Sequence, residues 1–306
     1  MNLGPSFRTL LIPVVPCSLG PCFMPLSFSC ELFPPRTPEG AAKLPGVLSQ
    51  LAALRPDYFS VTYGAGGSDQ DGTYQTLLTI VEHTGVEAAP HLTCVGSTRA
   101  HVSALLDRYR ACGVKRIVAL RGDLPATAMS PAAPGEFHYA NELVSFIRQT
   151  HGDHFKIEVA AYPEMHPQAA SPGADFENFR RKVGAGADAA LTQLFYNVES
   201  YFDFMERCAK AGITIPIVPG IMPITSYASI VRFTSGCGAD LPRWVRLRLE
   251  ELQFDKAALL DFGASVVTRI CETLLKNGAP GLHFYTINQA EPTMRLWKNL
   301  ALNIPA

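Results

Sequence analysis

Charge of one sign is missing from this chain: 26 Lys and Arg stand against 27 Asp and Glu in 306 residues, leaving a formal charge of −1. No global field recruits nucleic acid or an anionic membrane, so an anionic ligand must meet local positive groups. Paired cysteines are missing too. The 8 cysteines, at positions 17, 22, 30, 94, 112, 208, 237 and 271, include no Cys-x-x-Cys and no zinc-like histidine spacing. Buried free thiols in a reducing compartment are expected, with no bound metal. There is no Gly-x-x-x-x-Gly-Lys-Ser/Thr, and the one match to Gly-x-Gly-x-x-Ala, from Gly184 to Ala189, leads into a strand instead of following one. It reads as a helix-end turn, so a flavin or nicotinamide has to bind without a Rossmann fingerprint.

Nor does any apolar run reach the roughly 20 residues that span a bilayer. The apolar opening segment is broken by Pro13, Pro16, Pro21 and Pro25, and its lone Arg8 and lack of a small-residue cleavage site make it a poor secretory signal. Residues 1–25 are expected to form an irregular tail and 26–306 a single catalytic domain. Met24, just ahead of the first strand, is a candidate start of translation.

What is present is a large apolar content, 47%, ordered as strand and helix in alternation. Eight short apolar runs read as strands: SFSCELF from Ser27, DYFSVTY from Asp57, EAAPHLT from Glu87, RIVAL from Arg116, KIEVAAY from Lys156, AALTQLF from Ala189, IPIVPGI from Ile215 and GLHFYTI from Gly281. Between them lie helix signals. Thr37 precedes Pro38; Ser97 or Thr98 can cap a segment whose Val102, Leu105, Leu106 and Tyr109 share a face; Asn197 or Ser200 opens another, and Asp255 to Lys276 makes a long one. The connection between strands seven and eight holds two further pieces, Ser226 to Thr234 and Pro242 to Leu252, and Pro292 to Leu302 closes the chain. Eight strands with eight crossovers favour an α/β fold of the closed (β/α)8 TIM-barrel type over an open doubly wound sheet.

Barrel enzymes gather ligand-binding groups at the carboxyl ends of their strands, and the polar oddities of this chain fall there. They are Glu31; Thr62 and Tyr63 before a Gly64-Ala65-Gly66-Gly67-Ser68 loop; His91 and Thr93; Arg121-Gly122-Asp123; Tyr162, Glu164 and His166; Gln193 and Tyr196; Pro219-Gly220; and His283, Tyr285, Asn288 and Gln289. Each has a plainer reading. Glu31 can pair with Arg36 or Arg121, or, buried without a close cation, hold its proton at neutral pH as an acid catalyst must. Arg121 and Asp123 can form a local ion pair. The glycine loop can face an anion or merely turn. His91, His166 and His283 invite a metal, yet strand one carries Ser-Cys-Glu-Leu-Phe where metal-dependent barrel hydrolases place His-x-His, which favours structural or cofactor contacts. The stripe Tyr201, Phe204, Met205, Cys208 reads as core packing.

Taken in order, SFSCELFPPRTPEG, VTYGAGGS, EAAPHLTC, RIVALRGDLP, VAAYPEMHPQA, TQLFYNVESY, IVPGIMPITSY and LHFYTINQAE resemble the methylenetetrahydrofolate reductase family, from about Ser27 to Leu302. The length resembles the short bacterial type, a catalytic barrel alone. The resemblance implies noncovalent FAD across the carboxyl face of the barrel, with NADH or NADPH as donor. By ping-pong exchange 5,10-methylenetetrahydrofolate becomes 5-methyltetrahydrofolate for methionine supply. It implies a cytoplasmic homo-oligomer with folate and nicotinamide as small-molecule partners and neither nucleic acid nor membrane. Glu31 would be the acid that opens the five-membered ring toward N10, and Asp123 a carboxylate near flavin and pterin that favours the N5 iminium. Cofactor contacts carry over onto Thr62, His91, Arg121, Gly122, Asp123, Tyr139, Ala140, Tyr162, His166, Ala169, Asp175, Lys182 and Ala187, with Lys182 suited to diphosphate charge and Ala187 to close approach. Folate contacts fall on Glu31, Gln193, Phe233 and Gln289. The sequence departs from the family at Gln289, where many members have Arg, at Ser229, where some have Gln, and in the proline-rich tail that replaces a helix ahead of strand one. A folate-binding relative without catalysis and a flavin-free folate-dependent methyltransferase or lyase remain the alternatives.

Overall fold

Short runs of apolar and β-branched residues become strands here because helices cover one face of each and the barrel interior the other. The computed structural model describes residues 26–63, 70–122 and 135–302. Strands β1 (Ser27–Leu32), β2 (Tyr58–Val61), β3 (Glu87–Thr93), β4 (Arg116–Leu120), β5 (Lys156–Ala161) and β6 (Ala189–Thr192) each pair in parallel with the next. The expected seventh strand is broken at Pro219. Its first half, β7 (Ile217–Val218), pairs with β6, and its second, β8 (Gly220–Ile221), pairs with β9 (Gly281–Tyr285). Proline has no N–H for the ladder, but its carbonyl still accepts from the backbone N–H of His283 at 2.9 Å. β9 also pairs with β1, which closes the ring into a (β/α)8 barrel.

The helices are α1 (Pro38–Ala52), α2 (Gln70–Thr84), α3 (Arg99–Ala111), α4 (Ala140–His151), α5 (Pro172–Gly184), α6 (Val198–Lys210), α7 (Tyr227–Cys237), α8 (Arg243–Glu251), α9 (Lys256–Lys276) and α10 (Ala290–Asn299). Their starts follow from local chemistry, since the side chains of Thr37, Thr98, Asn197, Ser226 and Asp255 each accept a first-turn backbone N–H. α7 continues past the expected Thr234, and α10 begins two residues before Pro292, which sits in a first turn where an N–H is not required. Among the described residues no helix is long and apolar enough to cross a membrane.

Strand alternation sorts the side chains into two layers. Outward residues such as Cys30, Phe59, Leu92, Ile117, Val159 and Phe284 join the helices in one continuous core, which also takes Tyr201, Phe204 and Cys208. Inside the barrel, Val118, Leu191 and Val218 form a separate small cluster. Polar groups share the interior: Arg116 Nη1 and Tyr58 Oη both donate to Glu158, each at 2.7 Å, near the amino ends of the strands. Cys112 departs from the expected burial of the thiols, because it caps the exposed end of α3, with its Sγ 2.9 Å from Tyr74 Oη. Cys17 and Cys22 lie outside the described residues.

The turn after β9 clamps the exit of β1. Thr286 Oγ1 donates to the Glu31 carbonyl at 2.6 Å, and the Asn288 amide accepts from Phe33 N at 3.0 Å while donating to Phe33 O at 2.8 Å. Asn288 does so at φ 50, a left-handed conformation that Asn tolerates better than most residues. Asn288→Ala loses both bonds and keeps the backbone strain. We expect it to cost about 2–3 kcal/mol in urea denaturation.

Candidate active site

Because all strands run parallel, their carboxyl ends meet at one rim, and there the structure opens a cavity of about 850 Å³. That lies within the ~300–1,000 Å³ usual for small-molecule and cofactor sites. Glu31, Thr62, His91, Arg121, Gly122, Tyr162, Gln193 and Tyr285 reach it from strand ends, and Tyr139 and Ala140 from the start of α4. The loop before α5 and that helix supply His166, Ala169, Asp175 and Lys182, and α7 supplies Phe233.

Neither expected cation pairs with Glu31. Arg36 is exposed, and Arg121 turns its guanidinium to the Gly122 carbonyl at 3.1 Å and to the side chain of Gln168. Instead one Glu31 carboxyl oxygen lies 3.4 Å from His91 Nε2 and 3.5 Å from His283 Nε2. Burial pulls the His91 pKa below the usual imidazole range, with Glu31 opposing the shift and His283 adding to it, so His91 is neutral at pH 7. Its Nε2 is buried and makes no hydrogen bond, the Glu31 contact being too poorly aligned to count as one.

Opposite Glu31 lies the positive part of the cavity. Lys182 Nζ donates to the Ala160 carbonyl at 2.5 Å, and burial, reinforced by Arg121 and opposed by Asp175, lowers its pKa to about 8. Asp175 accepts from His166 N at 3.0 Å, and His166 Nδ1 accepts from Gln168 N at 3.0 Å, which leaves the proton of a neutral ring on Nε2. The Tyr162 ring meets that of His166 edge to face at 4.6 Å. Gln193 Oε1 is held by the backbone N–H of Leu194 at 2.9 Å.

Residues 24–301 match the family model described as methylenetetrahydrofolate reductase. The 5,10-methylenetetrahydrofolate reductase of Pectobacterium carotovorum is 40% identical over 87% of this chain and 87% of its own length. That of Salmonella typhimurium is 39% identical over 90% and 91%. The chain belongs to the methylenetetrahydrofolate reductase family. Methylenetetrahydrofolate reductase (NADH) 1 of Zea mays is 36% identical over 90% of this chain and 48% of its own. A solved structure of an uncharacterized Clostridium thermocellum protein that binds two copies of 5-methyl-5,6,7,8-tetrahydrofolic acid superposes with a TM-score of 0.64 at 16% identity, over 90% of this chain and 94% of that one. At that identity the likeness shows the barrel fold alone.

Of the residues that resemblance to the methylenetetrahydrofolate reductase family put forward, two stand away from the cavity. Ala187 is one: the turn after α5 places it ahead of β6, where its side chain is 6% exposed and packs in the strand–helix core. Gln289 is exposed at the start of α10 and is not among the cavity-lining residues. Asp123 and the glycine loop 64–68 lie outside the described residues. Sequence reasoning passed over Asn178 and Arg232, which also line the cavity. Asn178 was within reach, because it lies three residues after Asp175 and four before Lys182 on one helix face. Arg232 is next to Phe233 but carries no pattern of its own.

Proposed function

We propose that this chain reduces 5,10-methylenetetrahydrofolate to 5-methyltetrahydrofolate, with NADH or NADPH as donor and noncovalent FAD as the carrier, in ping-pong order. The observation that supports it most is the Glu31 carboxyl held at the rim of a large cavity whose other wall carries Lys182 and Arg121. The residues fit FAD. His91 Nε2 is a buried polar atom without a hydrogen bond in the protein, Lys182 and Arg121 offer charge to a diphosphate, and Gly122 lines the cavity without a side chain of its own. When bound, FAD accepts a hydride from the nicotinamide and later gives it to the folate.

In this reading Glu31 delivers a proton toward N10 of the folate, which opens the five-membered ring and leaves an N5 iminium. Gln193 holds the pterin edge through its amide, and Phe233 stacks on whichever flat substrate is bound. Asp123 contributes a carboxylate that favours the iminium charge. Tyr162, His166 and Asp175 shape the wall beside the cofactor.

Lys182 gives the flavin site a pH dependence. Its pKa is about 8, so its charge is full well below that pH and lost as pH rises through it. FAD affinity should therefore fall above about pH 8, because a diphosphate then has to bring a proton with it. Lys182→Met should bind FAD about 10–100-fold more weakly and without that fall, as fluorescence titration across the range would read.

The absorption spectrum of the purified protein tests the reading as a whole. We expect a flavin spectrum that NADH or NADPH bleaches without oxygen and methylenetetrahydrofolate restores. A colourless protein that takes up no FAD would replace this reading with a flavin-free methyltransferase or lyase. A flavoprotein without turnover would make it a folate-binding relative.

A further inference from the structure

Six large apolar side chains stand well exposed among the described residues, and three of them, Trp244, Leu247 and Phe254, fall together on α8 and the turn after it. They are 58%, 43% and 94% exposed. Single exposed apolar residues are ordinary, whereas a cluster on one short element marks a contact surface. α8 packs against α7 and α9, and its Val245 and Leu249 are 1% and 0% exposed. At about 100° per residue Leu247 points directly away from that pair, so it forms the crest of the outer face. The Trp244 ring is steadied by the Phe262 ring of α9, edge to face at 6.1 Å.

The charges on α8 run against the dipole of the helix. Arg243 and Arg246 occupy the amino-terminal turn, where the peptide dipole is already positive, and Glu250 and Glu251 the carboxyl-terminal turn, where it is negative. Pro242 gives the first turn no side-chain hydrogen bond. Only Arg248 counters the pattern, and it donates to Glu251 at 2.5 Å. Arg243, Arg246 and Glu250 make no ion pair or side-chain hydrogen bond among the described residues. An antiparallel copy of the same helix would bring its negative end beside this positive one. Arg243 lies four residues before Leu247 and Glu250 three after it, on one flank of the crest. A two-fold axis through a Leu247 contact therefore sets Arg243 opposite Glu250 of the partner subunit, and does so twice. On the other flank Trp244 comes beside Arg248 of the partner subunit, a guanidinium that an indole face attracts.

We propose that α8 joins two copies of this chain, antiparallel across a two-fold axis, with Leu247 against its own counterpart and Arg243 of each opposite Glu250 of the partner subunit. The face is self-complementary, as a contact of this symmetry has to be. Arg246 lies at the rim beside its counterpart, where water screens the pair. The segment 1–25 is apolar enough to compete for the crest, but with Arg8 as its single charged side chain it cannot match both the arginines and the glutamates. A contact built on one nine-residue helix and the turn after it lies at the small end of specific interfaces, so a dissociation constant of about 1–10 µM is expected. None of these residues lines the cavity, and the contact stands apart from the reductase reading.

Analytical ultracentrifugation of the full-length protein from about 0.1 to 100 µM brackets that constant. We expect reversible association by twos; where a second face also holds copies together, the variants below should halve the mass. Leu247→Glu puts two carboxylates on the axis and should weaken the contact at least about 100-fold. Arg243→Glu or Glu250→Arg alone sets like charges opposite each other and should weaken it about 10–100-fold, while the double variant should return to within about threefold of wild type. All three positions are exposed, and both charge changes suit the helix dipole, so urea midpoints of the charge variants should not fall. A protein that stays monomeric throughout, single charge variants that associate like wild type, or a double variant that fails to recover would each overturn the proposal. A monomer that associates once residues 1–23 are removed would give the face to that segment instead.

Discussion

Glu31→Gln should keep its flavin and its reduction by NADH or NADPH, and should lose about 10²–10⁴-fold in the rate at which methylenetetrahydrofolate reoxidises it, the usual worth of a general acid. The geometry makes this a clean separation. Glutamine matches the shape of the side chain and retains one carbonyl oxygen, while removing the transferable proton. The groups nearest the carboxyl are imidazoles, one of them neutral by burial, so the substitution breaks no buried Arg or Lys ion pair. A stability change below about 1 kcal/mol is expected, in contrast to the 3–5 kcal/mol lost when a buried ion pair is broken. His91 also loses the larger of the two carboxylate influences, Glu31 before Glu158, that oppose its pKa depression, and so stays neutral. Anaerobic stopped-flow measurement of the two half-reactions, with a denaturation curve alongside, resolves the outcomes. Unimpaired reoxidation by the folate would remove Glu31 from the proton transfer.

Much of the fold was legible because the determinants are local. Thr37, Thr98, Asn197, Ser226 and Asp255 open helices through hydrogen bonds to N–H groups two or three residues on, and that chemistry is written in adjacent letters. The break in strand seven was not legible. IPIVPGI reads as one run, and only its pairing with β6 on one side and β9 on the other separates the two halves. The rim was legible at the level of strand ends, since a parallel barrel must bring them together. Partners across the rim were not. Arg36 is near Glu31 in sequence and turns to solvent, whereas His283, 252 residues away, is brought alongside by the β1–β9 register. Ala187 shows a different effect: its backbone N–H still bonds the Lys182 carbonyl at 3.4 Å, but the long Lys182 side chain reaches the cavity while the Ala187 methyl packs in the strand–helix core.

That same β1–β9 register makes Gly281 the position where a single methyl group should do most damage. Gly281 starts β9 opposite Ser27, at φ +150, and a Cβ built on it would lie 1.7 Å from the Ser27 carbonyl oxygen and 2.6 Å from the carbonyl carbon. Carbon and oxygen normally stay about 3.3 Å apart or more. Both atoms are backbone, and the Ser27 N–H is tied to the Pro280 carbonyl at 2.9 Å, so relief requires the two strands to separate. Separation would open the barrel where it closes, directly below Glu31 and His283. Gly281→Ala should cost more than about 4–5 kcal/mol, enough to leave a domain of ordinary stability largely unfolded. Gly278→Ala is the control, because Gly278 also has a positive φ, +86, yet has open space around the added atom. It should cost only the left-handed conformation, about 1–2 kcal/mol. Urea midpoints and soluble yields of the two variants separate steric overlap from backbone preference. A Gly281→Ala protein as stable as the Gly278→Ala control would mean that β1 and β9 are not paired in this register.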